Sequence, residues 1–245
     1  MPSAGAVPPA LRDLIEEQII DEVLFQLKSG KEATVYVAEK RTGEEPVLYA
    51  AKVYRDMHHR SFRRDEVYRE GRVILDGRLA TAVRKKTRTG RAVAFGMWVG
   101  EEASMLRRVY EAGAEVPAVI LASGPVILME YIGDADGPAP MLTEVDLSAA
   151  EARVAFDAIM GNVEAFLAAD VIHADLSAFN VLYWEDRPVI IDLPQAVDAR
   201  LNRHARELLA RDIGSICRHF QRQGVDADAA EIAWQLWSRY ELGQL

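Results

Sequence analysis

His173-Ala174-Asp175-Leu176-Ser177-Ala178-Phe179-Asn180 sets a carboxylate and a carboxamide five residues apart, and Val189-Ile190-Ile191-Asp192 ends an apolar run on a second carboxylate twelve residues after the Asn. Acid, amide and acid at these intervals reproduce the H-x-D-x-x-x-x-N…D spacing of phosphoryl transfer. That reaction needs little covalent help, so the protein's task is to aim an attacking hydroxyl and to neutralise phosphate charge. Asp175 is expected to orient the hydroxyl and accept its proton. Asn180, through its carbonyl oxygen, and Asp192, through its carboxylate, are hard oxygen donors of the kind Mg²⁺ takes beside the phosphates it bridges. Each residue alone reads as a loop side chain capping backbone groups. Their joint spacing favours catalysis, because motif matches gain weight from context.

Elements upstream must bring phosphates to this loop. Leu11, Leu14, Ile15 and Ile19 recur at helical spacing, and Val23–Leu27 reads as a strand. Lys28-Ser29-Gly30-Lys31-Glu32-Ala33 then separates that strand from Thr34–Ala38, so backbone N–H groups of the loop could face phosphates. The loop is neither Walker A nor G-x-G-x-x-G, and a plain hairpin connection fits it equally well. Val47–Tyr54 alternates as a third strand and carries Lys52 among apolar neighbours, the position of a kinase lysine that holds the α/β-phosphates. Its carboxylate partner is expected on a helix from about Gly100 to Ala112. Glu102 and its neighbour Glu101 both qualify there on position alone. Val126–Ile132 is a buried strand running into an acidic Gly/Pro-rich link, 133–140, that joins two lobes. A nucleotide base could lie against this strand, with the backbone carbonyl of Glu130 and N–H of Ile132 pairing with adenine and Met129 lining an apolar pocket. Ser148-Ala149-Ala150-Glu151 fits a capping box that opens the helix leading to the catalytic loop.

Composition bounds the classes. With 245 residues, half of them hydrophobic, the chain is long enough for one or two cored domains. Its N-terminus lacks a basic start and an apolar core, and no apolar run nears the roughly 18 residues of a membrane span, so no targeting or membrane partner is expected. The single cysteine, Cys217, fits a reducing compartment, and a cytoplasmic location is inferred. A net charge of -9 argues against a generally nucleic-acid-binding surface, yet residues 55–91 hold 12 Lys/Arg against 5 Asp/Glu. That stretch reads either as a solvated segment or as an anion-attracting flap for an acidic protein or RNA.

Together these motifs resemble the RIO kinases, a family of atypical protein kinases, over roughly residues 12–220. Ser29-Gly30-Lys31-Glu32-Ala33 with Val35-Tyr36 looks like the family's phosphate loop, Ala51-Lys52-Val53-Tyr54 like its lysine strand and His173–Asn180 like its catalytic loop. Ile191-Asp192-Leu193-Pro194-Gln195 is similar to its metal-binding loop, and Trp98 followed by Glu102 matches the helix bearing its ion-pair glutamate. The resemblance thus favours Glu102 over Glu101, and it implies that Asp212 of the Arg211-Asp212 pair braces the catalytic loop. Ala178 departs from the Glu common at its position, Leu193-Pro194 varies the metal loop, and the N-terminus is too short for the winged helix of one subfamily.

The resemblance implies an α+β, two-lobed protein-kinase-like fold without an activation segment or peptide-docking C-terminal subdomain. An N-terminal lobe over 1–131 and a helical C-terminal lobe over 132–245 are expected. The implied activity is ATP- and Mg²⁺- (or Mn²⁺-) dependent Ser/Thr phosphorylation, autophosphorylation included. Asp175, Lys52 and Glu102 would be catalytic, with Ser29, Lys31, Lys52, Met129, Glu130 and Ile132 on ATP and Asn180 and Asp192 on metal. A protein acceptor is implied, with a ribosomal or RNA partner through residues 55–91. Two other classes fit parts of the pattern: an ATPase-driven switch on ribosomal particles, and an aminoglycoside-type small-molecule phosphotransferase.

Overall fold

The computed structural model describes residues 7–43, 45–55 and 88–245. The basic run expected over 55–91 lies largely outside the described residues. Two compact units divide the chain. One contains the strands up to Tyr54, helical residues as far as Ser104, and Ala118–Asp134; the other contains Met105–Pro117 and Ala135–Leu245. Among the described residues no helix is long and apolar enough to cross a membrane.

The first unit is built on helix α1 (Pro9–Glu16) and strands β1 (Glu22–Ser29), β2 (Ala33–Arg41) and β3 (Pro46–Tyr54). Helix α2 (Arg88–Glu111), which belongs to this unit as far as Ser104, follows, then β4 (Val119–Ser123) and β5 (Val126–Glu130). The strands form one antiparallel sheet in the order β1-β2-β3-β5-β4. Period-two alternation sorts its side chains onto two faces. Ala38, Ala51, Val126 and Leu128 meet Leu11 and Leu14 of α1 on one face, with Val53 packed against them. Tyr54 and Ile127 meet Trp98, Val99 and Ala103 of α2 on the other. Lys52 is out of phase with Ala51 and Val53, so it falls on the α2 face.

Helix α2 begins twelve residues before the expected start. Gly90, Gly96 and Gly100, together with the basic residues before them, obscure its apolar stripe in the sequence.

In the second unit, α3 (Ala149–Ala168) leads to β6 (Val171–Ile172), followed by hairpin strands β7 (Val181–Trp184) and β8 (Arg187–Ile190). The chain continues through β9 (Val197–Asp198) to α4 (Ala205–Gln221) and α5 (Ala229–Glu241). Ser148 caps α3 as the sequence predicts: its Oγ accepts from Glu151 N–H at 3.3 Å while the Glu151 carboxylate accepts from Ser148 N–H at 2.8 Å. Phe156 of α3 and Phe220 of α4 meet edge to face, with ring centroids 5.6 Å apart. β6 and β9 pair through Val171↔Asp198 and Ile172↔Val197, so the strand entering the expected catalytic loop is clamped by the strand leaving the expected metal loop.

Trp98 packs edge to face on Tyr54 with centroids 4.5 Å apart, one helical turn before Glu102. Trp98→Ala is expected to cost about 3–5 kcal/mol of stability by opening a cavity under α2. Urea unfolding measures it, and an unchanged midpoint would show that this contact does not hold the helix to the sheet.

Candidate functional site

Lys52 is buried, and its Nζ lies 2.7 Å from Oε1 of the equally buried Glu102. Strand alternation aims Lys52 at α2, and the helical repeat brings Glu102 to meet it one turn after Trp98. The Lys52 ammonium also stands 5.2 Å from the centroid of the Tyr54 ring, a cation–π distance. Glu101 is only half-buried, so helix register settles which glutamate the lysine meets.

The expected phosphate loop closes through Gly30 N–H on the Ala33 carbonyl at 2.8 Å. A Cβ at Gly30 would stand 3.3 Å from that carbonyl, which is why a residue without one suits the turn. Ser29 pairs with Thr34 across β1 and β2, and Thr34 with Val53 across β2 and β3, so the loop ends one residue along the sheet from Lys52. Ser29 Oγ accepts from the guanidinium of Arg55, while Lys31 is exposed. On the other side of β3, Ile127 pairs with Lys52 and Met129 with Ala50. Met129 packs partly buried against the Tyr54–Trp98 cluster. Glu130 ends β5, its N–H on the Ala118 carbonyl at 2.9 Å, and Ile132 follows two residues later.

In the second unit the expected catalytic loop, His173–Asn180, is tied down from beneath. Asp212 of α4, 3% exposed, accepts from Ala174 N–H at 2.7 Å and Leu176 N–H at 3.0 Å. The Arg211 guanidinium donates to the Ala174 carbonyl. These bonds flank Asp175 on both sides and leave its side chain exposed. Ala174 takes a positive φ of 65°, a conformation unusual for a residue with a Cβ and held here by its hydrogen bonds. Burial pushes the Asp212 carboxyl up to about 7, against the pull of the two N–H donors and Arg211.

His173 joins this loop to the next. Its Nδ1 accepts from Asp175 N–H at 3.3 Å, which requires Nε2 to carry the proton donated to the Ile191 carbonyl at 3.1 Å. Burial holds the ring below its ordinary pKa, hence neutral, despite the carboxylates of Asp192 and Asp175 nearby. Sequence reasoning treated this histidine only as part of a motif. Its bridging role depends on Ile191 standing opposite, which spacing does not reveal.

The two metal-ligand candidates flank the β7–β8 hairpin. Val181 pairs with Ile190, and Ile191 N–H bonds to the Asn180 carbonyl at 2.9 Å. Residues 180 and 192 therefore emerge from the same end of the hairpin. Its far end turns at Glu185-Asp186, both at positive φ, as a two-residue type I′ turn requires. Asn180 Nδ2 donates to the Asp175 carbonyl at 2.9 Å, which commits the amide nitrogen to the loop and presents the Oδ1 acceptor outward. Asp192 is likewise at positive φ, 69°. The donor set is thus one amide oxygen and one carboxylate, and among the described residues no group of three His, Cys, Asp or Glu could cage a metal. This fits Mg²⁺, which is commonly held by one or two protein oxygens together with substrate phosphates, better than a closed structural site.

Comparison with known proteins gives a concordant answer. The RIO domain family model matches residues 34–232. The RIO-type serine/threonine-protein kinase Rio1 of Haloferax volcanii is 32% identical over 91% of this chain and 71% of its own length. The serine/threonine-protein kinase RIO1 of Homo sapiens is 30% identical over 86% of this chain and 35% of its own. Among solved structures, the Rio2 kinase-ADP/Mg²⁺-phosphoaspartate complex from Chaetomium thermophilum superposes with a TM-score of 0.64 at 19% identity. It covers 91% of this chain and 64% of that one, and shows that the fold is the kinase-like α+β fold.

The Asp212 carboxyl has a testable pH signature. Between its ordinary 3.8 and about 7 the folded chain holds a proton there that the unfolded chain has released. Its stabilising contribution is therefore complete at low pH and is lost as pH rises through 7. His173 runs the opposite way, since a ring kept neutral by burial costs stability as pH falls below 6.5. Comparing wild type with Asp212→Asn separates the two. The stability difference between them should shift against wild type between about pH 5 and pH 8, and a difference constant with pH removes the assignment.

Proposed function

This chain belongs to the RIO domain family and carries a RIO-type serine/threonine kinase domain, and on that premise we propose roles for its residues in moving the γ-phosphoryl of ATP to a Ser or Thr hydroxyl. Asp175 orients the acceptor hydroxyl and takes its proton. Asn180 and Asp192 hold Mg²⁺, which when bound neutralises phosphate charge. Lys52 holds the α/β-phosphates, and Glu102 keeps its ammonium aimed. Ser29 and Lys31 contribute to the phosphate loop, while Met129, Glu130 and Ile132 receive the base. The observation that carries this reading is the closed hydrogen-bonded circuit from the Asp175 carbonyl to Asn180 Nδ2, and from the Asn180 carbonyl to Ile191 beside Asp192. It ties the proton acceptor and both metal donors to one piece of backbone.

The chain spans under half the length of its human RIO1 relative, so the acceptor protein and partners are proposals as well. The positive charge of residues 55–91 supports, as a proposal, an anionic partner there, an acidic protein or RNA. The lone cysteine supports a cytoplasmic setting.

Asp175→Ala should lower phosphoryl transfer about 100-fold or more while leaving ADP·Mg²⁺ affinity within a few-fold. Asp192→Ala should instead weaken nucleotide binding and shift the Mg²⁺ requirement. Transfer assays and calorimetric titration of both variants decide the assignment, which an Asp192→Ala metal dependence identical to wild type would overturn.

A second reading has one specific support, the phosphoaspartate in the Rio2 relative's complex. In this second reading the present chain acts as an ATPase-driven switch, Asp192 taking the phosphoryl group from ATP, releasing ADP and losing phosphate to water. Acid-quenched protein labelled from γ-labelled ATP distinguishes the two. Hydroxylamine-resistant label on Ser or Thr supports kinase action alone, whereas hydroxylamine-labile label absent from Asp192→Asn supports the switch.

A further inference from the structure

Phe179 is 63% exposed, although it lies within a stretch held by several hydrogen bonds. Burial alternates along that stretch: Leu176 and Ala178 point inward, Ser177 is half-buried, and Asp175 and Phe179 face out. Looseness does not explain the exposure. Asp212 fixes Ala174 and Leu176, Asn180 N–H bonds the Ser177 carbonyl at 2.9 Å, and the Asn180 side chain closes back on Asp175. Single apolar residues on a protein surface are ordinary. This one differs in place, standing between the residue that receives the acceptor's proton and a metal donor, on backbone that has no freedom to fold the ring away. Among the described residues its ring stacks on no other aromatic.

Closure of Asn180 Nδ2 on the Asp175 carbonyl at 2.9 Å folds residues 175–180 into one tight loop, from which Asp175 and Phe179 both face outward. A hydroxyl delivered to the Asp175 carboxylate brings the residues beside it in the acceptor within reach of Phe179. We infer that Phe179 is a specificity-determining residue for the acceptor, and that it selects polypeptide segments with an aliphatic or aromatic residue adjacent to the phosphorylated Ser or Thr. The inference rests on the kinase reading above and adds the chemistry of the acceptor to it. An apolar neighbour covers the Phe179 ring and removes both surfaces from water, which favours it over a polar side chain of similar size by roughly tenfold.

The test uses the full chain and pairs of serine peptides that differ only in one residue beside the serine, leucine in one and glutamine in the other, placed on each side in turn. ADP·Mg²⁺ titration and thermal unfolding of every variant run alongside. Wild type should favour the leucine peptide by roughly tenfold in kcat/KM for at least one side. Phe179→Ala should cut that preference to about twofold or less through the peptide KM, and Phe179→Leu, which restores an apolar surface, should recover most of it. A merely structural role would lower the unfolding temperature of Phe179→Ala without changing its choice between peptides. Equal use of both peptides by wild type, or an undiminished preference in Phe179→Ala, overturns the inference while leaving the kinase reading intact. Phosphorylation of an aminoglycoside panel but of no peptide overturns the inference together with the Ser/Thr acceptor reading.

Discussion

One buried carboxylate holds the second unit's chemistry in place. Asp212 comes from α4, yet both of its hydrogen bonds go to backbone N–H groups on either side of Asp175. A loop that leaves the Asp175 side chain exposed cannot be held by burying that side chain, so its backbone has to be gripped instead. The grip also sustains Ala174 in a left-handed conformation that would otherwise relax. His173 passes the constraint on: a neutral ring with one proton and one lone pair connects the same loop to Ile191, and through it to the segment carrying Asp192. Asp175, Asn180 and Asp192 thus share a common backbone frame.

The first unit reaches a comparable result by different means. Its frame is a sheet with opposed apolar faces, and the only specification Lys52 needs is to be one residue out of phase with Ala51 and Val53. The charged pair it forms with Glu102 is costly to desolvate, and surrounding it with Tyr54 and Trp98 offsets part of that cost through the ring face and through packing.

What could be read from the sequence follows the range of the interactions. Asp175, Asn180 and Asp192 were visible because a short hairpin converts spacing into proximity almost without choice. Lys52 was visible through alternation. On position alone Glu102 and Glu101 were equivalent, and the resemblance chose Glu102; helix register gives the physical reason, since adjacent helical residues differ by about 100° in direction. The start of α2 was hidden by glycines that weaken any apolar stripe. The positive φ values of Ala174 and Asp192 left no trace, because the usual signal for that conformation is glycine and neither is one. Asp212 was suggested only by resemblance: its partners lie 38 and 36 residues away, and no local pattern points to them.

The hairpin between Asn180 and Asp192 also bears on the order in which the site assembles. Its contacts join residues a dozen positions apart at most, closing through a two-residue turn, so the frame of the Asn180–Asp192 end can form on the timescale of an isolated hairpin, about 1–10 μs. The Lys52–Glu102 pair must close a separation of 50 residues and the Asp212 brace one of 36 to 38, each at a larger entropic cost. In kinetic terms the Asn180–Asp192 end of the hairpin is a local product of the chain, and the contacts that tie it to distant segments arrive later. Early folding species would therefore bring residues 180 and 192 together before the loop bearing Asp175 has been fixed by Asp212.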